Sequence, residues 1–133
     1  MIVVDTNVIA YLFIQGDRTA QAEDVLRKDS DWAAPYLWRS EFRNILALYI
    51  RQGQLSLADA KALMQEAEVL MNSGEYEVGS DQVLGLAQSS KCSAYDCEFV
   101  TLAQQLKITL VTSDKKVLVV FPGTAVSMEV FIA

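Results

Sequence analysis

The sequence predicts an α/β sandwich built on a parallel sheet. Short, β-branched apolar runs at Ile2 to Val4 and Ile108 to Thr112 have the composition of strands buried on both faces. Segments with helical spacing of apolar residues separate the strand candidates. Hairpin signals are scarce, so the strands are joined through helices rather than by tight turns.

The elements follow in chain order. Ile2-Val3-Val4 is the first strand, and Val8, Ile9, Leu12 and Phe13 place a helix directly after it. Gln15-Gly16-Asp17 is a turn, and Thr19 to Lys28 reads as a second helix with Thr19 as its cap. Trp32-Ala33-Ala34, ahead of Pro35, is the second strand. Tyr36 to Arg51 is a long amphipathic helix ended by Gly53, and Ser56 caps another that runs to about Met71. That helix has Leu57, Ala60, Leu63, Met64, Ala67 and Leu70 on one face, and Asn72-Ser73-Gly74 stops it. Tyr76 to Val78 is a short strand, and Ser80 or Asp81 opens a helix through Val83, Leu84, Leu86 and Ala87. Ser93 caps a helix from Ala94 to Leu106. Ile108 to Thr112 is a strand, Lys115 to Val120 a short helical or irregular piece, and Pro122-Gly123 a turn. Ala125 to Ile132 contains a last edge strand. With 133 residues and no repeat, linker or low-complexity segment, residues 1–133 are expected to form one domain.

Composition narrows the chemistry. Apolar residues make up 52% and charged ones 21%, as in a compact globular fold. No apolar run is long enough to span a bilayer and no basic flank precedes the first apolar segment, so a cytoplasmic protein is expected. Cys92 and Cys97 form no Cys-x-x-Cys pair, and a reducing compartment leaves them as thiols. The chain has no histidine, which removes the usual general base and histidine zinc sites. Its net charge of −6 argues against a broad basic clamp on nucleic acid, but not against phosphate reaching carboxylates through bound cations.

Four acids stand where acids are unexpected. Asp5 ends the first strand and Asp114 follows the strand at Ile108 to Val111, so both project from the same edge of a parallel sheet. Each could equally cap the helix after it. Glu41 lies four residues from both Leu37 and Ile45, on the apolar stripe Leu37, Ile45, Leu48. Its neighbours Arg39 and Arg43 point to other faces, since helical partners lie three or four residues apart. Asp96 shares a face with Phe99, Val100 and Ala103, although Ser93-x-x-Asp96 is also a capping-box arrangement. Four carboxylates brought together repel one another, and a divalent cation with oxygen ligands resolves that repulsion. Such a site needs no histidine.

With those residues in place the chain resembles the PIN-domain family, above all its short VapC-type ribonuclease toxins. Val4-Asp5-Thr6-Asn7-Val8-Ile9 is similar to the opening motif and Ser40-Glu41-Phe42-Arg43-Asn44-Ile45-Leu46 to the helix with the second acid. Ser93-Ala94-Tyr95-Asp96 with Thr101-Leu102-Ala103 resembles the third motif, and Leu110-Val111-Thr112-Ser113-Asp114 the fourth. The resemblance implies a three-layer α/β/α sandwich with a short, mainly parallel sheet. It implies a Mg²⁺- or Mn²⁺-dependent endoribonuclease with Asp5, Glu41, Asp96 and Asp114 as catalytic metal-binding acids. Thr6, Asn7, Thr112 and Ser113 would support them by hydrogen bonding. It also implies an RNA substrate, a homodimer, and a small antitoxin partner. Arg39, Arg43, Lys115 and Lys116 lie beside the acids and are candidates for RNA phosphate contact, with solvated surface charge as the alternative. Tyr11, Trp38 and Tyr95 are candidates for base stacking, against core or dimer packing. Glu98, two residues past Asp96, points toward another face. Two further function classes compete: a non-catalytic PIN-like binding or scaffold module, and an aspartyl-phosphate enzyme, which Asp5-Thr6-Asn7 fits poorly for want of a second aspartate at residue 7.

Overall fold

The computed structural model describes residues 1–133. Five strands form one parallel sheet: β1 Ile2–Val4, β2 Trp32–Pro35, β3 Glu75–Tyr76, β4 Leu110–Val111 and β5 Ala125–Val126. Their spatial order is β3-β2-β1-β4-β5. The chain therefore steps outward in one direction from β1 through β2 to β3, then returns to the other side of β1 for β4 and β5. That reversal opens a crevice between the carboxyl ends of β1 and β4.

Helices α1 Thr6–Phe13, α2 Thr19–Lys28, α3 Leu37–Arg51 and α4 Leu57–Met71 pack against one another, with α8 Met128–Ile132 joined to α2. Helices α5 Ser80–Ser90 and α6 Ala94–Leu106 form the other layer, α6 lying on β1, β2 and β4, while the short α7 Lys115–Val120 follows β4. Covered on both faces, β1, β2 and β4 have every residue buried, which is why they read as unbroken apolar runs. Pro35 is the last residue of β2; the amides of Ala34 and Tyr36 make the bonds to β3, to Gly74 O at 2.9 Å and Tyr76 O at 3.2 Å, so the missing N–H leaves that ladder intact. Gly74 enters β3 so close to β2 that a Cβ would stand 1.9 Å from Trp32 O. No helix is long and apolar enough to cross a membrane.

The structure corrects several expected boundaries. Arg18, not Thr19, precedes α2 as its cap residue; the Thr19 hydroxyl instead accepts from Gly16 N at 2.9 Å and donates to Ile14 O at 3.2 Å, tying the turn to the helix. The strands at β3 and β4 are two residues each, shorter than their apolar runs, because only those residues find ladder partners. Ala125 to Ile132 divides into the two-residue β5 and the helix α8, capped by Ser127 accepting from Val130 N at 3.1 Å. In α3 the buried stripe is Trp38, Phe42 and Leu46, whereas Leu37 and Ile45 are half-buried and Leu48 is exposed. In α4, Leu57 is likewise exposed and the core positions are Ala60, Ala67 and Met71.

Candidate functional site

The site begins with strand register. Val3 and Val4 pair with Leu110 and Val111, and Asp5 N donates to Val111 O at 3.2 Å, so Asp5 leaves β1 directly beside the Thr112-Ser113-Asp114 turn. Thr112 Oγ1 donates to Asp5 Oδ2, Ser113 N donates to the same oxygen at 3.2 Å, and Val8 N donates to Asp5 Oδ1 at 2.9 Å. Asp5 is thus both the cap of α1 and a carboxylate fixed at the sheet edge. Thr112 Oγ1 in turn accepts from Asp114 N at 3.0 Å, and Asp114 Oδ1 caps α7 by accepting from Val117 N at 3.0 Å. Capping and a place in the crevice are compatible, because a cap bond engages one oxygen of the carboxylate.

Glu41 comes from α3. The stripe Trp38, Phe42, Leu46 carries the core contact, which leaves Glu41 on its flank with half-buried Leu37 and Ile45. There Thr6 Oγ1, itself buried at the start of α1, donates to Glu41 Oε1 at 2.6 Å. Asp96 sits in the first turn of α6, where Ser93 Oγ accepts from its amide at 3.1 Å; the rest of that helix is anchored by Cys97, Phe99, Val100 and Ala103.

All four acids line one cavity of about 240 Å³. Thr6, Asn7 and Thr112 share its wall, with Ile45, Phe99, Leu110 and Val117 as its apolar part. Ser113 acts on it from behind, through Asp5. Asn44 also lines the cavity and was not expected; its place one helical turn from Glu41 was the available signal. No lysine or arginine lines the cavity. No three acids are grouped so as to hold one metal ion by themselves.

Electrostatics follow from that company. Burial raises the Asp5 carboxyl above its ordinary value, with Asp114 adding to the rise and the bonds from Thr112, Val8 and Ser113 opposing it. Burial likewise raises Glu41; Thr6 opposes the shift, while Asp96, Asp5 and Glu98 add to it. Asp96 is raised by burial and by Asp114, against Ser93 and Lys116. Burial and neighbouring acids thus make the charged form costlier for three carboxyls in one cavity that no lysine or arginine lines.

The basic candidates lie outside the cavity. Arg39 is held by ion pairs: its Nε and Nη2 donate to Glu75 at 2.5 and 2.7 Å, and its Nη1 to Glu68 at 2.7 Å. Its guanidinium is therefore engaged on another face of α3. Arg43 and Lys115 are exposed, and Lys116 is exposed with its Nζ donating to Lys91 O at 2.8 Å. Trp38 is a core residue, fully buried and donating to Glu75 Oε2 at 2.9 Å, so it offers no face to a base. Tyr95 is exposed, and Tyr11 is half-buried with its hydroxyl 3.4 Å from Ser113 Oγ. Glu98 lines a separate depression with Tyr36, Tyr76 and Glu77.

Comparison with known proteins agrees with this architecture. The PIN domain family model matches residues 2–120. Ribonuclease VapC3 of Pyrobaculum aerophilum is 28% identical over 126 residues, covering 92% of this chain and 95% of that protein. The crystal structure of PAE2754 from the same organism superposes with a TM-score of 0.79 at 22% identity, over 98% of this chain and 92% of the other. FitAcB from Neisseria gonorrhoeae gives 0.72 at 18% identity, over 97% and 99%. A toxin–antitoxin complex from Klebsiella pneumoniae gives 0.69 at 18% identity, over 96% and 98%. At such identities the solved structures establish the fold alone.

Proposed function

The chain belongs to the PIN domain family, and on that footing we propose that it is a VapC-like endoribonuclease that hydrolyses RNA phosphodiester bonds at its acidic cavity. One observation carries the proposal. Asp5, Glu41, Asp96 and Asp114, from four separate elements, line a single cavity at the β1/β4 reversal with no basic side chain among them. A merely structural set of half-buried acids would be paired with cations. Similarity to Ribonuclease VapC3 supports the reaction class.

The donor set fits Mg²⁺ or Mn²⁺. It is all oxygen and rich in carboxylate, and Asp5, Glu41 and Asp96 within it are raised by burial first and by neighbouring acids second. Asp5, Glu41, Asp96 and Asp114 would hold the ion, their open arrangement leaving places for water and phosphate. When bound, the metal supplies Lewis-acid activation of water and charge neutralisation at the phosphate. The chain's own residues prepare that site. Thr112 and Ser113 hold Asp5 Oδ2 in place, and Thr6 fixes the Glu41 carboxylate. Asn7 and Asn44 offer amide groups to the substrate or its waters. The exposed Arg43, Lys115 and Lys116 are the residues proposed to meet flanking phosphates; Arg39 is not, because Glu68 and Glu75 occupy it.

The proposal extends to a single domain over residues 1–133, acting in the cytoplasm as a homodimer with a small antitoxin as its partner. The toxin–antitoxin complex of the Klebsiella pneumoniae neighbour and the DNA-bound FitAB structure, with a TM-score of 0.71, motivate the last point.

The test is cleavage of RNA by the purified protein with added Mn²⁺ or Mg²⁺, with Asp5→Asn as the control. Metal-dependent cleavage lost in Asp5→Asn supports the reading, and equal cleavage by both proteins overturns it. A second reading, a PIN-like binding module without catalysis, draws on the net charge of −6 and on a cavity that no lysine or arginine lines, a poor electrostatic match for an RNA backbone. That reading predicts no cleavage and no calorimetric signal with millimolar Mn²⁺.

A further inference from the structure

We propose that the depression beside the acidic cavity, walled by Tyr11, Ile14, Arg18, Ile45 and Tyr49, is a nucleobase subsite that seats one base of the RNA strand next to the cleaved bond. This rests on the ribonuclease function proposed above and adds where the strand runs.

The first argument is continuity. Asn7 and Ile45 line both the acidic cavity and this depression, so a chain whose phosphate sits at the acids passes directly into it. The depression holds about 300 Å³, separate from the 240 Å³ of the cavity. The second argument is wall chemistry. Ala10, Ile14 and Ile45 are apolar, Tyr11 and Tyr49 present aromatic surface, and Asn7 and Gln15 offer amide donors and acceptors. Flat apolar surface beside a few polar groups suits a nucleobase, which stacks by its faces and hydrogen-bonds by its edge. No side-chain hydrogen bond fixes Tyr49 to the protein, in contrast to the buried Trp38.

The third argument is charge. Arg18 lies 5.0 Å from the centroid of the Tyr11 ring and is pinned by Gln21 Oε1 and Glu129 Oε1, each at 2.9 Å. With Asp17 also on the wall the depression is neutral, beside a cavity of four acids. The depression that contains Glu98 has Glu77 as its other charged residue and no base, so it repels a phosphodiester chain. Tyr11 also reaches Ser113 Oγ at 3.4 Å, which ties this wall to the turn that positions Asp5.

The test uses the full chain, Mn²⁺ and a short single-stranded RNA that wild type cleaves, together with a series of that RNA carrying one abasic nucleotide at each position around the cleaved bond. For wild type, one abasic position raises KM by roughly tenfold, the size expected for loss of one base–aromatic stack. Tyr49→Leu raises KM for the intact RNA by a similar factor and responds no further to that abasic position, while Tyr49→Phe restores the wild-type pattern. A structural role for Tyr49 would not produce this non-additivity, and thermal melting of both variants reports their folding independently. If Tyr49→Leu is folded and shows the wild-type abasic profile, the subsite is overturned and the ribonuclease function stands. If wild type cleaves no RNA with either metal, the ribonuclease function falls and the subsite with it.

Discussion

Thr6 Oγ1 donates to Glu41 Oε1 at 2.6 Å, joining the first turn of α1 to the second turn of α3 across 35 residues of chain. Thr6 is buried and Glu41 half-buried, so this bond fixes the carboxylate that the core stripe of α3 leaves at the cavity edge. A hydroxyl bonded to an ionised carboxylate is among the stronger hydrogen bonds of a fold.

Thr6→Val keeps the side-chain shape and removes that donor. Stability is expected to fall by ~1–2 kcal/mol, the worth of a charge-assisted hydrogen bond. Metal-dependent RNA cleavage should fall more than tenfold, because Glu41 is then free to rotate. Urea unfolding and a cleavage assay on the same preparation check both. Full activity in a destabilised Thr6→Val protein would remove the positioning role.

Glu41→Gln should stabilise the metal-free protein. The Glu41 carboxyl is raised above its ordinary 4.5 by burial, and by Asp96, Asp5 and Glu98, against the opposing bond from Thr6. Native protein therefore binds more protons than unfolded protein between the ordinary value and the raised one. Stability falls as pH rises through that window, by the linkage relation. Asp5 and Asp96, raised for the same first cause, act in the same direction. In EDTA the variant should melt a few degrees above wild type at pH 7, at ~4 °C per kcal/mol for a domain of this size, and the gap should close near pH 4. A variant that melts below wild type at both pH values contradicts this.

Mn²⁺ should raise the melting temperature of wild type and have much less effect on Asp5→Asn. A ligand at a hundred times its Kd adds ~2.7 kcal/mol to the stability of the state that binds it. Asparagine is as good a helix cap as aspartate, so the variant should keep the start of α1 while losing the charge. Calorimetric titration checks the same point without heating, and equal responses of the two proteins would move the metal away from Asp5.

Glu75→Ala should be strongly destabilising although it lies outside the acidic cavity. The Glu75 side chain is only 5% exposed and accepts from Trp38 Nε1, Arg39 Nε and Arg39 Nη2. Arg39 holds the Glu75 carboxyl below its ordinary value, so this pair stabilises above pH 4.5 and is lost as pH falls through the lowered value. Removing the acid strands a buried indole N–H and part of a guanidinium, at a cost of ~3 kcal/mol. Chemical denaturation of wild type and variant measures it.

Much of the fold was legible because its signals are local. Ile2-Val3-Val4 declares a strand covered on both faces, and Ser56 and Ser93 mark helix starts by the hydroxyls that accept from Asp59 N and Asp96 N. The Asp5 and Asp114 placements followed from two short apolar runs, each ending in an acid. The end of the chain was less legible: Val130 is exposed on α8 and Val126 half-buried in β5, so neither a helical nor a strand period stands out over Ala125 to Ile132. The core stripe of α3 was less legible for a related reason: Leu37, Ile45 and Leu48 overlap a second apolar stripe, Trp38, Phe42 and Leu46, and only the sheet beneath chooses the second. Trp38 is thereby a packing residue, one of the two uses its sequence allows.

The sequence by itself determined the parallel α/β class, the helix starts at Ser56 and Ser93, and the four out-of-place acids, because capping and apolar periodicity act between residues close in the chain. Only the tertiary structure decided that β1 lies between β2 and β4. That order puts Asp5 against Thr112 across 107 residues of chain, draws Thr6 onto Glu41, and spends Arg39 on Glu68 and Glu75 rather than on a phosphate. These are contacts between distant segments, and strand order and register create them; no local pattern of residues encodes either.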